Sequence, residues 1–186
     1  MSRIIIVTDS TADLTEQEIQ DFNIHVVPLN ITIQEEHYLD GETITKEEFK
    51  NKMIASSELP MTAQPSIGRF VELYDELGKD GSQIISIHLM NSISGTVNAA
   101  RQAADITEST VTVVDSDFTS RSMGIIVREA AQAAKEGKSA EEVLEVIEST
   151  RQRTKLYLTV LNLDNLIKGG RISRVMGAFS NLLNIK

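Results

Sequence analysis

The 186-residue sequence is 41% hydrophobic and carries 18 Lys and Arg against 27 Asp and Glu, a formal net charge of −9. A chain of that size buries one core and part of another, and its negative charge repels a phosphate backbone, which argues against nucleic-acid binding. The absence of cysteine excludes disulfides, thiolate nucleophiles and cysteine zinc sites, and suits a reducing compartment.

No run of eighteen apolar residues is present to span a bilayer, and the apolar residues 4–7 are too few for a signal-peptide core. The expectation is a cytoplasmic protein without stable membrane insertion. In chain order, the β-branched residues 4–8 predict a strand, and Thr15-Glu16-Gln17-Glu18 is a capping-box pattern that opens a helix. Residues 25–33 read as one second strand, Glu35-Glu36 and Asp40-Gly41 as turns, and Thr45-Lys46-Glu47-Glu48 as a second capping box before Phe49, Met53 and Ile54. Ser66 caps a helix carrying Phe70, Leu73 and Leu77. A turn over 78–81, a third strand over 83–87 and a helix over 96–104 follow. Residues 111–114 are a fourth strand, 123–135 an Ala-rich helix stopped by Gly137, and Ser139-Ala140-Glu141-Glu142 a third capping box.

Alternating strands and helices predict the α/β class. Parallel strands need helical crossovers, so residues 1–153 are expected to form a doubly wound, Rossmann-like parallel-sheet lobe. The charge balance changes near residues 151–155, from −15 over residues 1–150 to +6 over 151–186. Residues 154–186 therefore read as the start of a second, incomplete α/β lobe, with a strand over 156–160 and a short helix over 163–167. Val175, Phe179, Leu182 and Leu183 then recur on one helical face that nothing in the chain covers. The basic end has two readings: acidic partners in further chain, or a docking surface for an acidic or phosphate-carrying partner.

In an open parallel sheet, ligands bind beyond the carboxyl ends of the strands. Those positions are rich in hydroxyls: Thr8, Asp9, Ser10 and Thr11; Asn91, Ser92, Ser94, Gly95 and Thr96; Asp115 and Ser116. The segment Pro60-Met61-Thr62-Ala63-Gln64-Pro65-Ser66 is expected to be a loop between two helices, stiffened by its prolines. Each cluster lies near a helix start, where free N–H groups attract an anion, although a lone Ser or Thr there is usually only a cap. Uncharged donors suit one carboxylate better than a polyphosphate. Phosphate-binding glycine motifs and a nucleophile elbow at Ser94 are absent from the sequence. The histidines show neither metal spacing nor a triad with Ser94. His25 and His88 read as strand residues with satisfied hydrogen bonds, and His37 as a surface residue beside a turn. Asp9 is expected to accept backbone N–H bonds across the turn at residues 10–13.

Four segments resemble, in order, the motifs of the DegV family: residues 7–14 (Val-Thr-Asp-Ser-Thr-Ala-Asp-Leu), Thr62-Ala63-Gln64-Pro65-Ser66, Ser92-Ile93-Ser94-Gly95-Thr96 and Gly169-Gly170-Arg171-Ile172. The resemblance covers the whole chain and implies a two-lobed fatty-acid-binding protein, here cut off in the second lobe. It implies a long-chain fatty acid as ligand and no other cofactor, metal or catalytic residue. The tail would lie between the lobes. The carboxylate would meet Thr62 and Ser94, with Asp9, Ser10, Gln64, Ser92, Gly95 and Thr96 in supporting loops. It also implies a separate fatty acid kinase as partner, with Arg171 at the phosphotransfer or docking position. Two departures from the family pattern are Ala63, where Ser is common, and the absence of a histidine that relatives carry further along. A second reading is a magnesium-dependent phosphoryl-transfer or hydrolytic enzyme using Asp9 and Asp115. A third is an interaction module with no ligand.

Overall fold

Runs of β-branched residues pack well on a pleated surface, and a strand buried on both faces has no need to alternate with polar residues. β1 (Ile4–Asp9) is such a strand, buried from Ile5 onward. The structure, a computed structural model, describes residues 3–160 and 164–171. After β1 come a 3-10 turn (Ser10–Ala12), α1 (Glu16–Phe22), β2 (His25–Val27), β3 (Asn30–Ile33), β4 (Glu36–Leu39) and α2 (Lys46–Ala55). β5 (Met61–Ala63), α3 (Ile67–Gly78), β6 (Gln83–His88), α4 (Thr96–Ile106) and β7 (Val111–Asp115) follow. α5 (Ser120–Lys135), α6 (Ala140–Arg153) and α7 (Asp164–Lys168) complete the described elements.

The expected parallel sheet is present, in the order β2-β1-β6-β7, with helices on both faces. On one face Ile6, Ile85 and Ile87 pack with Met123, Ile126 and Val127 of α5 and Val143 and Ile147 of α6. On the other, Ile5, Val7 and Ile84 pack with Phe70 and Tyr74 of α3 and three alanines of α4. Removing a fully buried side chain the size of Phe70 typically lowers stability by about 3–5 kcal/mol. All three expected capping boxes form, at Thr15 with Glu18, Thr45 with Glu48 and Ser139 with Glu142.

Four expectations are corrected. Residues 25–33 are two strands, because Pro28 has no N–H to continue a ladder; the chain leaves the parallel sheet there and enters a second one. Glu36 opens β4 rather than lying in a turn, so β3 and β4 form a hairpin, with Gln34 at a positive φ of 56° in the turn between them. His37 accordingly sits in a strand, 3.0 Å from the Thr32 hydroxyl. Residues 61–63 are a strand and not a loop. β5 pairs antiparallel with β3, completing a small sheet of order β4-β3-β5. Residues 156–160 carry no regular structure in place of the expected strand. Of the expected short helix over 163–167, α7 covers Asp164–Lys168, and Val175, Phe179, Leu182 and Leu183 lie outside the described residues. No helix among the described residues is long and apolar enough to cross a membrane.

One close approach secures the turn after β1. A Cβ built on Gly124 of α5 would lie 2.2 Å from the Ala12 carbonyl oxygen, a backbone atom that cannot swing away. Glycine to alanine in a helix ordinarily gains up to about 1 kcal/mol. Here overpacking, at about 1–3 kcal/mol, should outweigh that gain. Gly124→Ala is expected to lower the denaturant midpoint, and an unchanged or raised midpoint would show that the turn yields freely.

Candidate functional site

The carboxyl ends of β1 and β6 are joined by Asp9. One of its oxygens accepts from the Thr11 backbone N–H (3.1 Å) and hydroxyl (2.6 Å). The other accepts from the Leu89 N–H (3.1 Å) and lies 3.0 Å from His88 Nδ1. Beyond the ring, His88 Nε2 lies 2.7 Å from Ser86 Oγ, which receives the Tyr74 hydroxyl at 2.8 Å. With Tyr74 donating to Ser86, the donors run consistently if Ser86 donates to Nε2 and the Nδ1–H tautomer of His88 donates to Asp9. Burial opposes ionisation of Asp9, yet the bonds from His88, Thr11 and Leu89 outweigh it and hold the carboxyl below its ordinary range.

This Asp-His-Ser chain has the connectivity of a hydrolytic triad, but Asp9, His88 and Ser86 are each fully buried, so no substrate reaches the serine. It is a brace. Asp115 braces in the same manner, accepting the Asn91 N–H (3.2 Å) and the Asp117 N–H (3.0 Å). The two aspartates offered for a magnesium enzyme sit at ends of β1 and β7, strands that β6 separates. Neither Asp9 oxygen is open to a metal. Ser10 also faces inward: its Oγ accepts the Leu29 N–H at 3.1 Å, tying the end of β1 to the entry of the small sheet.

What remains open is the turn that leads into α4. Ser94 is half-buried, with its Oγ 2.9 Å from Thr96 Oγ1 and accepting the Thr96 N–H at 3.3 Å. Gly95 is the N-cap and has no side chain to satisfy the next N–H groups. Ser92 is exposed in the turn before it, and Thr96 is buried behind. The carboxamide of Gln64 covers Gly95, since a Cβ there would meet Gln64 Oε1 at 1.9 Å. That contact brings the end of β5 to the start of α4. Thr62 is exposed on β5 opposite Ile31, two residues from Gln64. Pro65 restricts Gln64 to extended backbone, so the strand alternation continues and Thr62 and Gln64 share a side.

Sequence reasoning missed Asn30, whose Nδ2 donates to the Gln64 carbonyl at 3.0 Å. No local pattern carries that contact, because the partners are 34 positions apart. Arg171 follows a helix end closed by glycine: Gly170 has φ +70°, the Arg171 N–H bonds to the Leu166 carbonyl and the Gly170 N–H to that of Ile167. Its guanidinium folds back to the Gly169 carbonyl at 2.8 Å and is half-buried. Two surface clefts, of about 320 Å³ beside Ile4 and Phe22 and about 470 Å³ between α5 and α6, are lined by neither Thr62 nor Ser94.

A family model for DegV, described as an uncharacterised protein family, matches residues 3–186. A DegV domain-containing protein of Listeria innocua is 49% identical over 187 residues, covering 100% of this chain and 67% of the relative. One from Staphylococcus aureus strain N315 is 46% identical over 186 residues, covering 66% of its length. Among solved structures, DegV of Bacillus subtilis, described as a fatty acid binding protein, is 32% identical at a TM-score of 0.87 over 100% of this chain and 66% of that one. A DegV family protein of Thermus thermophilus, also described by its fatty acid binding, is 35% identical with a TM-score of 0.83, covering 98% of this chain and 65% of that one. The chain thus spans about two thirds of the length of these relatives.

Proposed function

The chain belongs to the DegV family, and from that membership and the geometry at α4 we propose that the protein binds a long-chain fatty acid. Residues 1–153 form the first lobe and 154–186 begin a second, with the acyl tail between them. The hydroxyls of Thr62 and Ser94 hold the carboxylate. The observation that carries this reading is the seating of Gln64 on Gly95, which draws the two hydroxyl-bearing segments together at an open helix start. The donors there are uncharged, which fits a single carboxylate, and the helix dipole adds attraction for it. The fatty acid binding described for the Bacillus subtilis and Thermus thermophilus relatives supports the same ligand. Asp9, Ser10 and Thr96 act from beneath as braces, while Ser92 lies on the exposed turn. Titration of the family-length protein with palmitate and with methyl palmitate tests the reading. Saturation near one acid per protein, with much weaker binding of the ester, is the expected result; equal affinities would remove the carboxylate site.

The protein presents the bound acid to a separate fatty acid kinase, with Arg171 serving phosphotransfer or docking. Its guanidinium follows a tight αL turn, and a planar fork bridges two phosphate oxygens in a way lysine does not. Arg171→Lys is expected to slow kinase-coupled acyl-phosphate formation by about ten- to a hundred-fold, the worth of one charge-assisted hydrogen bond, while leaving fatty-acid affinity nearly intact. Normal coupled turnover by this variant would remove Arg171 from the step.

A further inference from the structure

We infer that Asn30, acting through Gln64, is a positioning residue that sets the spacing between the Thr62 and Ser94 hydroxyls, and with it the preference for a free carboxylate. The inference rests on the fatty-acid reading above. Thr62 belongs to the small sheet and Ser94 to the turn that follows β6 of the parallel sheet. The small sheet has its own apolar cluster of Ile31, Ile33 and Ile44 with Tyr38 and Phe49, separate from the two clusters around the parallel sheet. Buried Pro28, Leu29 and Pro65 join it to the lobe, and polar ties add to that placement. Two of them, Lys46 with Asp13 and Arg69 with Glu42, are exposed ion pairs of the kind that contribute little. The Ser10 to Leu29 bond fixes only the point where the chain crosses over.

Asn30 completes the path to the site. It pairs with Ala63 in the ladder, and its side chain donates an exposed hydrogen bond to the Gln64 carbonyl just past the end of β5. Gln64 in turn rests on Gly95, the residue between Ser94 and α4. The bridge from β3 to α4 thus runs beside both hydroxyls. Two neutral donors grip the two oxygens of one carboxylate only when their spacing matches it, so a slack bridge weakens the acid more than the ester.

The test compares palmitate and methyl palmitate binding by family-length wild type, Asn30→Ala, Gly95→Ala and the Asn30→Ala/Thr62→Val pair, with thermal melting of each. Asn30→Ala is expected to lower the acid-to-ester affinity ratio roughly fivefold, the size of one ordinary hydrogen bond. Gly95→Ala, which evicts Gln64, should lower it similarly. In the Thr62→Val background the Asn30 change should alter the ratio by less than about twofold, because residues acting on one partner couple. A merely structural role lowers the melting temperature and both affinities together, leaving the ratio fixed. That outcome, with the wild-type preference for the acid intact, overturns the positioning role and spares the carboxylate site. A wild type without preference overturns both.

Discussion

Replacing Asp9 with alanine is expected to lower folding stability by about 3–5 kcal/mol, because it strands buried donors that nothing else reaches. The Leu89 and Thr11 N–H groups and His88 Nδ1 all point at its two oxygens, and Asp9 and His88 are fully buried. Asp9→Asn removes the charge but also turns one of two needed acceptors into a donor, so the shape of its pH dependence, rather than its absolute stability, reports the charge. The carboxyl is held below its ordinary value of 3.8, so its contribution is complete above that value and is lost as pH falls through the lower, folded-state value. Glu18, held down to about 2 by Arg121 and Thr15, loses its contribution in the same acid range. The difference between wild type and Asp9→Asn below about pH 4 therefore isolates Asp9. Denaturant melts between pH 7 and pH 2 should show wild type losing stability there more steeply than Asp9→Asn. Parallel curves would mean that the Asp9 charge does no work in the brace.

The second large effect concerns ligand. Thr62→Val keeps the side-chain shape and removes one charge-assisted hydrogen bond, so fatty-acid affinity should fall by about ten- to a hundred-fold, or roughly 1.5–3 kcal/mol. Thr62 is exposed on an edge strand, and valine is at home in a strand, so the melting temperature of ligand-free protein should stay near wild type. Ser94→Ala is less clean. Its Oγ also receives the Thr96 N–H, so its loss removes part of the start of α4, about 1 kcal/mol. Combined, the two should be non-additive, because both hydroxyls serve one carboxylate. A titration in which Thr62→Val binds palmitate as tightly as wild type retires Thr62 as a ligand contact.

What the sequence made legible was local. The three capping boxes each lie within four consecutive residues, and the β-branched run of β1 announces a doubly buried strand without reference to anything distant. The small sheet was not legible, because three-residue β5 exists only through its pairing with β3, some thirty positions earlier. Pro60 and Pro65 give the same segment the look of a loop, and Pro28 is a break inside a run otherwise rich in β-branched residues. At the site, Ser94, Gly95 and Thr96 were found because they stand at a strand-to-helix turn, where hydroxyls and an open helix start coincide. Asp9 braces the turn, as its place after the strand suggests, but two of its four bonds run to His88 and Leu89 across the sheet, which no local pattern announces. Asn30 and the Ser86 to Tyr74 link were invisible, since each joins segments that only the fold brings together.

The central claim is that the protein carries a fatty acid, and the most direct measurement is mass spectrometry of an organic extract. Family-length protein should be purified folded, never delipidated, and extracted under denaturing conditions. The account predicts a long-chain fatty acid near one per protein in the wild type and a clear deficit in Thr62→Val. An extract of folded wild type with no fatty acid above the background of a control protein would contradict it.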